Sequence, residues 1–126
     1  MSIDYNKLGT CIDNVYIEKL NYSPSRKVIC TLEGNIMKLR YVTIVDIVKE
    51  IDKDRQVKEF EREAVSYINE RLKNIVDCYK EMCNQSLKYS DIKSNNPASY
   101  EIISVSPFSI KRTAKFNYTL CYELKD

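Results

Sequence analysis

The side chains able to do acid–base or nucleophilic work in this chain of 126 residues are carboxylates, tyrosines, lysines and five cysteines, because it contains no histidine. Without imidazole there is no Ser-His-Asp or Cys-His nucleophile system, no imidazole general base and no zinc or haem site built on histidine. Among the carboxylates, Asp46 and Glu50 stand four apart, while Glu59, Glu61, Glu63 and Glu70 follow along what reads as a helix. On an amphipathic helix such charges form the solvated face, and no catalytic residue is assigned. A nuclease strand would place an acid two positions before a lysine, and Glu123-Leu124-Lys125 and Asp91-Ile92-Lys93 both do so. With 18 acids among the 126 residues, chance alone supplies about two such triplets. The pattern carries no weight.

The cysteines Cys11, Cys30, Cys78, Cys83 and Cys121 contain no CxxC pair, so neither a zinc ribbon nor a thioredoxin-type motif is available. Cys78 and Cys83 lie five apart, which on a helix turns them about 500° from one another and suits no shared metal. The expectation is reduced thiols packed as small hydrophobes. Cys121 falls on the polar side of a strand and is the thiol expected to be exposed. Two isolated glycines, Gly9 and Gly34, exclude a phosphate-cradling loop and a dinucleotide fingerprint. No cofactor is expected.

A net charge of +2 does not by itself imply a polyanion partner. Locally, Lys111, Arg112 and Lys115 crowd what reads as a hairpin tip, and Lys38 and Arg40 share the outer face of another hairpin. A basic β-ribbon can enter a major groove or follow a phosphate backbone, which makes nucleic-acid binding an alternative reading. Charged tips and outer faces also serve solubility and edge protection. Tyr41, Tyr118 and Tyr122 fall on expected core faces, away from any base-stacking role.

The elements that position these groups follow from hydrophobic period. Val28, Cys30 and Leu32 alternate with polar neighbours, as do Met37, Leu39 and Tyr41 beyond Gly34-Asn35. A two-residue turn there pairs Leu32 with Met37, Cys30 with Leu39 and Val28 with Tyr41, placing all six on one face. An earlier strand is expected at about Asn14 to Leu20. Thr43 and Asp46 resemble a capping box, with Ile44, Ile47, Val48 and Ile51 at helical spacing, although strand could continue to about 45. From 54 to 88 a stripe of Val57, Phe60, Ala64, Ile68, Leu72, Ile75, Tyr79, Met82 and Leu87 predicts one long amphipathic helix. The segment Ser90 to Ser99 reads as a loop. Phe116, Tyr118, Leu120, Tyr122 and Leu124 form a final strand, paired with Tyr100 to Ile110 across an Arg112-Thr113-Ala114 loop so that Ile102 meets Leu124. Pro107 marks a sheet edge.

The fold class is therefore α+β, one domain over 1–126, in the order β-β-β-α-β-β: an antiparallel sheet of about five strands with one long helix on one face. A helix of that length reaches about 50 Å, against a diameter of roughly 35 Å for a domain of this size. The overhanging stripe, Ile75, Tyr79, Met82 and Cys83, is expected to be covered by a second copy, giving a homodimer. The start of the chain has no basic and apolar leader pattern and no stretch able to span a bilayer, so a cytoplasmic protein without membrane contact is expected. The abundance of Ile, Lys, Asn and Tyr and the scarcity of Ala fit an A/T-rich source such as a phage or mobile element. The reading is a small non-enzymatic protein acting through protein–protein contacts, as an accessory, assembly or inhibitor protein. A further alternative is a small-molecule or nucleotide-binding module whose pocket lies between helix and sheet, lined by tyrosines with a few charges.

Overall fold

The chain, seen in a computed structural model, is described over residues 2–19, 26–48, 53–92, 99–105 and 111–126. Helix α1 spans Tyr5–Lys19. Asp4 caps it: Lys7 N donates to Asp4 Oδ1 at 3.1 Å, and Leu8 N reaches Asp4 O at 3.0 Å. Leu8, Cys11 and Ile12, at i, i+3 and i+4, are its buried side. The strand expected at Asn14 to Leu20 is therefore corrected to the C-terminal part of this helix, as far as Lys19. The β-branched residues there read as strand in isolation, but Val15 continues the Leu8–Cys11–Ile12 spacing, and that longer pattern prevails.

Strands β1 (Arg26–Glu33) and β2 (Ile36–Val48) form the hairpin in the expected register, with Leu32 opposite Met37, Cys30 opposite Leu39 and Val28 opposite Tyr41. Gly34 carries φ 59°, the backbone that a two-residue turn asks of its first central residue. β2 runs on to Val48, so Thr43 and Asp46 lie in a strand and cap no helix. The β-branched residues of 43–48 fit a pleated ladder as well as a helix, and thirteen consecutive pairings with the last strand decide between them.

Helix α2 spans Lys53–Cys83, about 46 Å of unbroken helix. It ends at Asn84, which takes the left-handed conformation at φ 54° while its N donates to Lys80 O at 2.8 Å. Leu87 thus lies beyond the helix, still buried in the core. The segment expected as a loop begins as strand β3 (Lys88–Ile92), and Ser99 already belongs to β4 (Ser99–Val105); residues 93–98 lie outside the described residues.

Strand β5 (Lys111–Lys125) is the spine of the sheet. It pairs with β2 on one side, and on the other with β3 at one end and β4 at the other, all antiparallel. Five strand segments thus occupy four positions, in the order β1-β2-β5-β3 with β4 beside β5, and the chain is α+β. The expected β4 register is corrected: Tyr100 faces Phe116 and Ile102 faces Ala114, because β3 already occupies the positions opposite 121–125. The expected Arg112-Thr113-Ala114 loop is strand as well, paired on both sides; Pro107 lies outside the described residues.

Both helices join one core with the sheet face that carries Met37, Leu39, Tyr41, Phe116, Tyr122 and Leu124. Phe60 packs on Phe116 with ring centroids 5.2 Å apart, anchoring the N-terminal half of α2 to β5.

Candidate functional site

The first candidate surface is the C-terminal half of α2. Ile75 and Tyr79, expected at a dimer interface, are 0% and 2% exposed within the single chain. Helix α1, whose C-terminal part was expected to be strand, joins this core beside Tyr79. Tyr79 OH accepts from Asp4 N at 3.1 Å, and burial pushes the Tyr79 hydroxyl upward, with Cys83 adding in the same direction. Neither residue is therefore left open for a second copy, as the overhanging stripe was expected to be. Of the expected interface, Met82 remains 42% exposed, and Cys83 is half-buried as a free thiol.

At the same junction Cys11 and Cys78 form a disulfide, with Cα atoms 5.7 Å apart. This corrects the expectation of five reduced thiols. Cys83 could not partner Cys78 along one helix; a neighbour from another helix could. The signal was present in the sequence, because Cys11 shares the apolar spacing of Leu8 and Ile12 while Cys78 borders the α2 stripe. Met82, one turn beyond Cys78, places its Sδ 3.3 Å from Cys11 Sγ.

Between α2 and the β1–β2 hairpin lies a second group. Arg26 Nη1 sits 3.0 Å from Glu63 Oε1 and donates to Tyr67 OH at 3.2 Å, while Tyr67 stacks on Tyr41 at 5.5 Å. Burial, with the Glu63 carboxylate nearby, pushes the Tyr41 hydroxyl up to about 12, against opposing effects of Thr43 and Arg26. Tyr41 and Thr43 are fully buried. Tyrosines with a few charges between helix and sheet are the groups that the pocket alternative required.

The third surface is the sheet face turned away from both helices. Register places Lys27, Ile29 and Thr31 of β1, Lys38, Arg40, Val42 and Ile44 of β2, and Lys115, Asn117, Thr119 and Cys121 of β5 together there. Lys38, Arg40 and Lys115, drawn from two different hairpins in the sequence reading, thus share one face. Glu33 lies 2.9 Å from Lys38 Nζ and, through that hydrogen bond and its charge, raises the lysine above its ordinary value. Lys111 and Arg112 open β5, opposite Val48 and Ile47 of β2, with Arg112 also opposite Val105 at the end of β4. Cys121, expected to be exposed, is half-buried. Ile44 is 46% exposed, and Ile29, Ile36 and Val42 are half-buried on this face.

Among the described residues no three His, Cys, Asp or Glu side chains converge on a common point, and no helix is long and apolar enough to cross a membrane. No protein-family model matches the chain, and a search of curated proteins finds no relative.

Proposed function

We propose that this chain is a non-enzymatic binding protein that acts through protein–protein contacts and self-associates, using the open face of its sheet. The observation that carries this reading is the one-sided packing. Both helices lie on one face, while the other holds Ile29, Val42 and Ile44 in neighbouring strands without a covering element among the described residues. An antiparallel sheet that merely faces water alternates apolar-in with polar-out, and these positions break that alternation. Because Ile75 and Tyr79 are buried within the chain, this reading takes the sheet face in place of α2 as the surface for self-association. A phage or mobile-element accessory, assembly or inhibitor protein is the setting that the composition favours. Native mass spectrometry at low and moderate salt tests the reading: a dimer persisting at moderate salt is expected, and a monomer at all concentrations would contradict it.

Nucleic-acid binding is the second reading, favoured by the gathering of Lys38, Arg40 and Lys115 on that same face. It requires binding that weakens steeply with salt, with a slope reduced by about one for Arg40→Ala or Lys115→Ala. Absence of binding at low salt would remove it. The small-molecule alternative would draw on the group around Tyr41, Thr43, Arg26 and Glu63, and a ligand retained through purification would favour it.

A further inference from the structure

We propose that Cys11, Cys78 and Met82 form a soft-metal site that binds a cuprous ion once the Cys11–Cys78 disulfide is reduced. Three sulfurs meet at the α1–α2 junction: the two cysteine sulfurs are bonded, and Met82 Sδ lies 3.3 Å from Cys11 Sγ. The elements hold them there by ordinary packing. Cys78 and Met82 are one helical turn apart on α2, while Cys11 is fully buried on the side of α1 that includes Leu8 and Ile12. Asp4 N on Tyr79 OH fixes the start of α1 against the same stretch of α2.

The donor set selects the metal. Two thiolates and a thioether are soft ligands, which favour monovalent copper. Structural zinc asks for four tetrahedral donors from thiolate, imidazole or carboxylate, and no three His, Cys, Asp or Glu groups converge among the described residues. Met82 is 42% exposed, so the thioether side of the site meets solvent, while Cys11 is fully buried.

A phosphine reductant supplies two electrons to the disulfide and becomes the phosphine oxide, its oxygen coming from water. The two protons released from that water go to Cys11 and Cys78. Binding of one cuprous ion then forms two copper–thiolate bonds and one copper–thioether bond and releases those two protons. The disulfide and the metal are thus mutually exclusive occupants of one site. This inference stands apart from the self-association reading, since its test follows metal uptake and not oligomeric state.

The experiment is an anaerobic titration of the phosphine-reduced protein with cuprous ion against a chromophoric cuprous chelator. One ion per chain is expected, retained when Cys30, Cys83 and Cys121 are all changed to serine and lost in Cys11→Ser and Cys78→Ser. Met82→Leu, which keeps volume at a half-exposed position and so preserves the fold, is expected to weaken binding by at least the roughly tenfold that losing even a supporting group costs a metal site. Circular dichroism of each variant checks the fold. If Met82→Leu binds like the parent, or if uptake vanishes with the Cys30, Cys83 and Cys121 changes, the assignment is overturned.

Discussion

Arg71 is the residue on which the packing of three elements meets. It projects from the middle of α2 and is only 4% exposed. Its Nη1 donates to Val28 O of the β1 edge, and its Nη2 to Ile12 O of α1 at 3.5 Å. A planar fork can serve two carbonyls in different directions, whereas an ammonium acts as a single point. Arg71→Ala would leave buried carbonyls without their donor and remove the packing of the side-chain stem. A loss of about 3 kcal/mol is expected in urea unfolding, since each orphaned group costs about 1–3 kcal/mol. Arg71→Lys is expected to recover only part of it; full recovery would show that the charge alone matters. Nothing in the sequence marked Arg71, because an arginine at a helix position reads as solvated face until the neighbouring helix is known.

Three weak acids, with Tyr41 and Tyr122 buried and Cys30 half-buried, govern the behaviour at high pH. Burial pushes the Cys30 thiol up to about 11 against a partial opposing effect of Arg71. Burial likewise pushes the Tyr122 hydroxyl up to about 12, with Asp91 adding, and Tyr41 to about 12. Each is raised above its ordinary value, 9.0 for the thiol and 10.0 for the phenols. Above those values the unfolded chain has lost protons that the folded chain still holds, so stability falls as pH rises. The contribution is fully present below pH 9 and is lost progressively from 9 toward 12. The urea midpoint should therefore decline steadily from pH 9 to pH 11, and earlier in the parent than in Cys30→Ala. A flat midpoint over that interval would contradict the burial of these groups.

At the scale of elements, α1 is held more by attachments than by its own helical tendency. Its sequence includes Gly9, Thr10 and Asn14, none a strong helix former. It is fixed by the Asp4 cap, the Tyr79 hydroxyl and the Cys11–Cys78 bond. The bond closes a loop across 67 positions, and a link of that span contributes typically about 2–4 kcal/mol. Reduction should lower the urea midpoint by a corresponding amount, and amide exchange in α1 should accelerate before that in β2 and β5. Uniform exchange after reduction would mean that α1 is held by packing alone. Beyond the last turn of α2, Asn84 tolerates the left-handed conformation that stops the helix. Asn84→Ala is expected to cost about 1 kcal/mol, because alanine lacks the short polar side chain that lets asparagine occupy that region.

The same scale shows what the sequence made legible. The β1–β2 hairpin was readable pair by pair, because a two-residue turn and six alternating apolar residues agree on a single register. The α2 stripe was readable from its period, whereas the overhang inferred from its length was not what buries Ile75 and Tyr79. What covers that stripe was not readable, since α1 hides its apolar positions among β-branched residues that also fit a strand. The extension of β2 through Val48 and the division of the far edge between β3 and β4 depend on β5, a partner more than sixty residues along the chain from β2. Local spacing contains no trace of such a choice. Of the candidate site residues, Lys38 and Arg40 were placed on the right face by alternation, whereas joining them to Lys115 required the β2–β5 register.

For the molecule as a whole, two helices on one side of a sheet leave its other side to decide what the protein meets. That face mixes Ile29, Val42 and Ile44 with Lys27, Lys38, Arg40 and Lys115, and the central claim is that it joins one copy to another. The most direct measurement is sedimentation equilibrium of the parent, Ile44→Lys and Met82→Lys over a wide range of concentration. A dimer is expected in the parent, dissociation in Ile44→Lys and an unchanged dimer in Met82→Lys. A dimer that survives Ile44→Lys but dissociates in Met82→Lys would return the interface to the end of α2 and contradict the account.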